Sequence, residues 1–429
     1  MSFSTLKIGA AMVAALTLSA CGESPQSDSK AAYDDASAQQ VVNHYADIAL
    51  ATFSDALEGA KAMQRANQAL LDAPSADTLN AARDAWRTAR VPYMQTEVFR
   101  FGNAIVDEWE VQVNAWPLDE GLIDYVGNDY QAALGNVGAT ANIIANTSLR
   151  VGEEDLDLTK ITPELLAGLN ELAGSEANVA TGFHAIEFLL WGQDTHGTNA
   201  GAGERPATDF SLNTQLATGG HNARRRDYLT AVTDLLVSDL EAMVAQWQPD
   251  SDNYRKALIS DTAENGLRKI FFGMGSLSLG ELAGQRMKVA LEAHSPEDEH
   301  DCFSDNTHAS HFYNQQGIVN VYLGSYRRVD GSVLTGPSLS ALVAEQDAAL
   351  DEKLKTHLLA STFAMQALVD SAEQHQIYFD QLIAPGNDSG AQLVRAAINA
   401  LVTQTGDIER AAEALRIKGL NPDTAGQDF

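Results

Sequence analysis

The stretch VNHYADIALATFSDALEGAKAMQRANQALL, residues 42–71, decides the fold class of this chain. Its apolar side chains recur every three or four residues, which is the spacing of one face of an α-helix. The residues on this face are Tyr45, Ile48, Ala49, Phe53, Leu57, Ala60 and Met63. A pattern this long predicts an amphipathic helix that buries one face in a core.

Four more segments carry the same helical period, and they are residues 78 to about 90, 227–247, 339–377 and 391–417. Strand-like alternation is scarce, and residues 319–326 are its best example. The pattern predicts an all-α protein with two helical bundles, residues 37–215 and 216–429. Three non-helical stretches, 113–128, 192–221 and 295–336, are long enough to suggest functional loops.

The composition excludes some partners. The chain has 429 residues, of which 45% are hydrophobic, and a net charge of -30. Such a surface repels nucleic acid and anionic lipid, and it attracts cations. Nucleic acid is therefore not expected as a partner.

Residues 1–20 have the pattern of a secretory signal, with Lys7 followed by an apolar run. They end in Leu-Ser-Ala before Cys21, which resembles a bacterial lipobox and predicts that Cys21 is lipidated. The alternative is an ordinary signal cut near Ala20. Residues 21–36 are small and polar and predict a flexible tether. The expected location is the cell envelope, with the lipid as the sole membrane contact. Gly22 favours the outer membrane, facing the periplasm or the cell surface.

If Cys21 is acylated, Cys302 is the one cysteine left. A single cysteine forms no intrachain disulfide, and cysteine-rich zinc and iron–sulfur sites need several thiolates. A metal would therefore be bound by histidine, carboxylate, carbonyl or water.

The apolar stretch TGFHAIEFLLWGQD, residues 181–194, contains two strong ligand groups, His184 and Glu187. On a helix these residues share a face, because they are three positions apart. A buried carboxylate is costly unless it is paired or bound to a cation. The pair therefore predicts either a hydrogen bond in the core or one wall of a cation site.

The block GFHAIE, residues 182–187, resembles the GxHxxE signature of the imelysin-like family. Further blocks resemble the iron-regulated protein A branch of that family: TEVFRFG (96–102), VNAWPLDEGLIDYV (113–126), GSLSLGELAGQRM (275–287) and DCFSDNTH (301–308). The resemblance implies a two-domain, all-helical bacterial envelope protein. Such proteins were first described as insulin-cleaving metallopeptidases and are linked mainly to iron uptake. It also favours the metal-ligand interpretation of His184 and Glu187.

Other residues could also bind a metal, and each has an explanation without one. Tyr93, Glu97 and Arg100 have the spacing of one helix face, so Glu97 could be a third ligand steered by Arg100. The alternative is an ordinary Glu–Arg pair. The turn with Asp119, Glu120 and Asp124 suits a hard cation, or else it is a solvated acidic loop.

The segment HDCFSDNTHASH, residues 300–311, concentrates groups that can bind metals: His300, Asp305, His308 and His311. A network that caps the loop explains part of this without a metal. Glu281, beside Gly280 and Gly284, is a weaker candidate.

The predicted function is the binding of iron, or of a ferric chelate, for uptake, with an iron-transport component as a further partner. Zinc and other divalent metals also fit the ligand types. The alternatives are a metallopeptidase and a structural or adhesive lipoprotein. The peptidase has less support, because HExxH, HxxEH and G-x-S-x-G motifs are absent from the sequence.

Overall fold

The computed structural model describes residues 33–427 except 129, 134, 152 and 214. Its α-helices are α1 Asp35–Asp72, α2 Ala76–Met94, α3 Ala104–Val113, α4 Pro163–Leu169, α5 Gly182–Trp191, α6 Asn222–Trp247, α7 Tyr254–Ser260, α8 Ala263–Ser276, α9 Ala290–Ala293, α10 Thr307–Leu323, α11 Leu339–Gln346, α12 Ala348–His375, α13 Phe379–Leu382 and α14 Asp388–Ala414. The strands form two antiparallel hairpins, β1 Ser148–Val151 with β2 Glu154–Asp157, and β3 Ser325–Arg327 with β4 Val333–Thr335. The predicted all-α class is confirmed.

Local signals in the sequence start the long helices. Asp34 caps α1 by accepting a hydrogen bond from the backbone N–H of Ser37, at 2.9 Å. Ser75 and Thr78 form a capping box at the start of α2. These side chains satisfy backbone donors that the first helical turn leaves without partners.

A π-helical segment, Leu277–Val289, joins α8 to α9 and makes one helical run from residue 263 to 293. Residues five apart become neighbours in a π-helix. Nε of Arg286 therefore donates to Oε1 of Glu281 at 2.9 Å. The segment places both charges beside the candidate site described below.

Three apolar cores hold the helices together. The first contains the second half of α1 with α2, α5 and the first half of α6. The second contains the first half of α1 and the end of α6 with α8, α10, α11 and the end of α14. The third lies between the π-helical segment, α12 and α14. Because α1 and α6 contribute to two cores, they connect the halves of the molecule, and the boundary at residue 215 stays a prediction.

Several predicted segments differ from the structure. Helix α2 ends at Met94, because Thr96 folds back and both its N–H and its hydroxyl donate to the carbonyl of Tyr93. Glu97 lies in the short 3-10 turn Glu97–Phe99, and Arg100 follows it. The prediction that Tyr93, Glu97 and Arg100 share one helix face is therefore wrong.

The predicted strand at residues 319–326 is also largely wrong. Helix α10 runs through it to Leu323 and ends at Gly324, whose φ of 62° supplies the left-handed conformation of a helix end. Helix α10 also occupies part of the stretch 295–336, which was predicted to be non-helical. The predicted helix at 339–377 is divided at Asp347, whose side chain caps α12.

Helix α5 is buried along its whole length. It begins at Gly182, which has a φ of +77°, and a Cβ atom there would lie 2.4 Å from the carbonyl oxygen of Val113. Only glycine fits this backbone conformation and this close approach. At the other end, the guanidinium of Arg83 donates to the carbonyl of Leu190.

The predicted signal segment and Cys21 lie outside the described residues, so they stay predictions. Among the residues that are described, no helix combines the length and the apolar character needed to cross a membrane.

Candidate metal centre

Three buried side chains bring ligand atoms together beside helix α5. They are His184 on α5 and the neighbouring residues His300 and Asp301, which precede α10. One ligand atom from each lies within 4.8 Å of the others. The two imidazole rings meet edge to face, with their centroids 4.8 Å apart. We call these three residues the candidate centre.

Glu187 fixes the orientation of His184. Its Oε2 lies 2.9 Å from Nδ1 of His184. Its Oε1 accepts hydrogen bonds from the N–H and the hydroxyl of Ser304, at 3.0 and 2.6 Å. When Glu187 is ionised, Nδ1 of His184 must carry a proton and donate it, so the lone pair is on Nε2. A carboxylate in this position commonly orients a metal-binding histidine.

The Nε2 atom of His184 is buried and has no hydrogen-bond partner among the described residues. Burial, and then the charge of Arg90, lower the pKa of His184 to about 3. Burial and the charge of Asp301 raise the pKa of Glu187 well above its usual value, although the hydrogen bonds from Ser304 oppose this. His184 is therefore neutral at physiological pH, and it offers the lone pair of Nε2 to a cation when Glu187 is ionised.

Arg90 neutralises Asp301. Its Nη2 donates to Oδ1 of Asp301 at 2.7 Å, and both side chains are buried. Oδ2 of Asp301 accepts from Asn306 at 2.8 Å and from the hydroxyl of Ser310. Burial acts to raise the pKa of Asp301, but Arg90 outweighs it and lowers this pKa. Asp301 is thus a carboxylate, and a guanidinium already binds one of its oxygens.

His300 shares the same guanidinium. Nη2 of Arg90 lies 3.1 Å from Nε2 of His300, and arginine can only donate, so this nitrogen accepts. Burial, and then the charge of Arg286, lower the pKa of His300 well below its usual value. His300 is therefore neutral, and its proton resides on Nδ1, which has no partner within the described part of the chain.

A cavity of about 430 Å³ leads to the candidate centre. His300 and Asn114 are among its lining residues, and Asn114 also accepts a hydrogen bond from Arg90. Glu110 and Glu281 are carboxylates of its wall. Burial raises the pKa of Glu110 to about 7, although Arg100 opposes the shift. The candidate centre can thus be reached from an acidic cavity.

Glu97 and Arg100 lie beside the candidate centre and are not in the group of ligand atoms. Oε2 of Glu97 accepts from Nη2 of Arg286 at 2.8 Å. Arg100 contacts Asp107, Glu110 and Glu281. The two predicted residues therefore belong to a network of alternating charges that Arg286, and not a direct pair between them, holds together.

The predicted acidic loop is not solvated, because Asp119, Glu120 and Asp124 are all buried. Asp119 accepts hydrogen bonds from Tyr130, Asn136 and the N–H of Ala133. Asp124 is bound by two buried arginines, Arg205 and Arg225.

Glu120 is the exception in this loop. Burial and the charge of Glu297 raise its pKa to about 8. The structure does not bring any of these three loop carboxylates into the candidate centre.

The other residues of the predicted histidine-rich segment surround the candidate centre. The ring of His311 stacks near that of His300, with centroids 6.5 Å apart. His308 and Asp305 line a separate cavity of about 610 Å³. Cys302 is a partly buried free thiol, and burial raises its pKa well above the usual value.

Sequence reasoning missed Arg90, Asp301 and Ser304. Asp301 and Ser304 belong to the DCFSDNTH block, but no helical spacing connects them with His184. Arg90 lies on the apolar period of α2, where its burial signals an ionic partner. These three residues decide the charge of the candidate centre and the orientation of its histidine.

Known proteins resemble this chain in sequence and in fold. Residues 49–408 match the peptidase M75 family, described as imelysin. Iron-regulated protein A of Synechococcus elongatus is 25% identical over 376 residues, which cover 85% of this chain and 83% of that protein. A crystal structure described as an iron-regulated protein A precursor of Parabacteroides distasonis has a TM-score of 0.64 and 20% identity. The structural match covers 89% of this chain and 97% of the Parabacteroides distasonis chain.

Proposed function

The chain belongs to the imelysin family, and we propose that it binds iron at the candidate centre formed by His184, His300 and Asp301. The observation that carries this proposal is the buried Nε2 of His184, which has no partner among the described residues although Glu187 holds the opposite nitrogen. A buried polar atom without a partner is costly, so a ligand at this atom would remove a penalty.

The donor types suit iron. Two imidazole nitrogens and one carboxylate form the ligand set of many non-haem iron(II) sites, although imidazole also binds zinc and copper. Relatives of this chain are named iron-regulated protein A, which supports iron over the other metals. We therefore propose iron, free or chelated, as the cargo.

A cation at the candidate centre would have to displace Arg90 from Asp301 and His300. Nη2 of Arg90 contacts both Asp301 and His300, so a cation at these two residues would replace its hydrogen bonds. Nη1 of Arg90 also donates to Asn114, so the guanidinium would keep a partner. The cation would add its charge to that of Arg90, so the carboxylates around the candidate centre would have to balance both.

The proposed role is iron uptake in the cell envelope. The predicted lipid on Cys21 would anchor the protein, and the acidic cavity beside Glu110 and Glu281 would admit the cation. Transfer to an iron-transport component would complete the role. Loss of membrane partitioning in a Cys21→Ser variant would support the anchor.

Calorimetric titration with Fe²⁺ under anaerobic conditions tests the proposed site. His184→Ala should lower the affinity at least about tenfold, and thermal melts should show that the variant still folds. Glu292→Gln, an exposed carboxylate on α9, is the matched control and should bind like the wild type. Equal iron binding by wild type and His184→Ala would overturn the site. Digestion of casein by the purified protein, and its loss in His184→Ala, would instead favour the peptidase.

A further inference from the structure

A second set of buried groups lies outside the candidate centre, in the segment 299–308 and on α13. We propose that Glu299, Asp305, His308 and Asp380, here called the second cluster, bind a hydrated divalent cation that prefers oxygen ligands. This site does not depend on the iron proposal, because it shares no ligand with the candidate centre.

The unpartnered atoms of these residues carry the proposal. Oε1 of Glu299, Oδ1 of Asp305 and both carboxylate oxygens of Asp380 are buried and lack a hydrogen-bond partner within the described residues. Nδ1 of His308 is also without one, and His308 is only 8% exposed. Native proteins rarely leave so many buried polar atoms unsatisfied in one place, and a bound ion is a common reason for such a group.

Packing places Asp305, His308 and Asp380 around the start of α10, and Glu299 lies close enough to interact with the charges of Asp380 and Asp305. Asp305 and His308 line the same cavity of about 610 Å³, together with Tyr378. The ring of His308 lies 5.9 Å from the ring of Tyr378, which is two residues before Asp380. One turn further along α10, the ring of His311 meets the ring of Phe379 at 5.2 Å. The turn that carries Asp380 therefore packs directly on the helix that carries His308.

The charges in the second cluster lack a buried counter-ion. Burial and the neighbouring charge of Asp194 raise the pKa of Asp305 to about 7. Burial and the charge of Asp305 raise the pKa of Asp380 to about 7. Arg87 acts on Asp305, but its side chain is 41% exposed and donates to the carbonyl of Ser304. Three buried carboxylates without a paired base are costly, and a cation would relieve their repulsion.

The spacing of the ligand atoms indicates the kind of cation. Within the described residues, the candidate centre is the group whose ligand atoms lie within 4.8 Å of one another, so those of the second cluster are further apart. An ion held here would keep part of its water shell, as Mg²⁺ and Ca²⁺ commonly do. Three carboxylates against one imidazole also favour a hard cation. The cavity beside Asp305 and His308 has room for these waters.

Titration of the full-length protein with Ca²⁺ and with Mg²⁺ tests this site. The wild type should bind one of these ions, and Asp380→Asn and Glu299→Gln should each lower the affinity about tenfold or more. His184→Ala should bind Ca²⁺ or Mg²⁺ like the wild type, which separates this site from the iron proposal. Glu292→Gln is again the control.

Melting temperatures distinguish a variant that has lost the cation site from a variant that is merely misfolded. In the presence of a chelator, Asp380→Asn should melt at or above the wild-type temperature, because it removes an uncompensated buried charge. Added Ca²⁺ or Mg²⁺ should raise the melting temperature of the wild type more than that of Asp380→Asn. Absence of binding of both ions to the wild type, or equal binding by wild type and Asp380→Asn, would overturn the proposal. A chelator-independent loss of stability in Asp380→Asn would also overturn it.

Discussion

Nη2 of Arg90 lies 2.7 Å from Oδ1 of Asp301, and both side chains are almost completely buried. Residues that are 211 positions apart in the chain therefore form a buried ion pair. Such a pair contributes little net stability, because both charges lose their hydration, but it is strongly destabilising to break. The candidate centre is consequently stable without a cation and still contains a carboxylate.

Removal of either partner should destabilise the protein. Arg90→Gln and Asp301→Asn should each lower the free energy of unfolding by about 3–5 kcal/mol, because each leaves one buried charge without its counter-ion. The double variant should recover part of this loss. Denaturant unfolding in a chelating buffer measures all four proteins, and strictly additive losses would contradict a coupled pair.

Glu187→Gln should lower iron affinity about 10–100-fold while the fold survives. A Gln side chain that still accepts from Ser304 presents its NH₂ group to Nδ1 of His184. Nδ1 must then accept, and the proton moves to Nε2, where it blocks the lone pair. Iron titration of this variant beside Glu292→Gln tests the point. An unchanged affinity would mean that Glu187 does not set the tautomer of His184.

Asp124→Asn should destabilise the protein by about 3–5 kcal/mol at pH 7 without changing iron affinity, because Arg205 and Arg225 lose a shared buried counter-ion. Burial acts to raise the pKa of Asp124, but these arginines outweigh it and lower the pKa below its usual value. The stability from Asp124 is therefore present above about pH 3.8 and lost as the pH falls through the lower, folded-state pKa. Unfolding at pH 7 and at pH 3 should show a smaller effect of the variant at the lower pH.

Asp239 on α6 gives the opposite pH dependence. Its Oδ2 has no partner in the described part of the structure, and burial raises its pKa to about 6. The folded protein therefore holds this proton more tightly than the unfolded chain, so this residue lowers stability as the pH rises from about 4 to about 6. Asp239→Asn should be more stable than the wild type at pH 7. Thermal melts should show that this gain disappears near pH 3.5, and a constant difference at every pH would contradict the assignment.

Gly182→Ala should destabilise the protein by more than about 1 kcal/mol. The new Cβ would lie 2.4 Å from the carbonyl oxygen of Val113, in a backbone conformation with a φ of +77° that alanine rarely adopts. Gly168→Ala on α4 is a suitable control, since a Cβ there meets no atom within 4 Å. Denaturant unfolding of both variants compares the two glycines, and equal stability of the two would show that the α5 start can move.

Local features of the sequence determined the fold class and the pairing of His184 with Glu187. The three-to-four-residue period fixed the long helices, since an amphipathic face can be read from the helix itself. His184 and Glu187 were found in the same way, because a helix places residues three positions apart side by side regardless of the rest of the fold. The sequence shows Gly182 as part of a motif. It does not show that the close approach of the Val113 backbone requires a glycine there.

Tertiary structure decided which distant residues surround the His184–Glu187 pair. Ser304, which binds Glu187, is 117 residues away from it, and Arg90 reaches Asp301 across 211 residues. No helical period connects such positions, because their contacts depend on how α2, α5 and the segment before α10 pack together. The same packing buried Asp119, Glu120 and Asp124, which by composition alone resemble a solvated loop. Side-chain spacing within one helix is a local property, whereas the counter-ion of a buried charge is set by whichever distant segment the core brings to it.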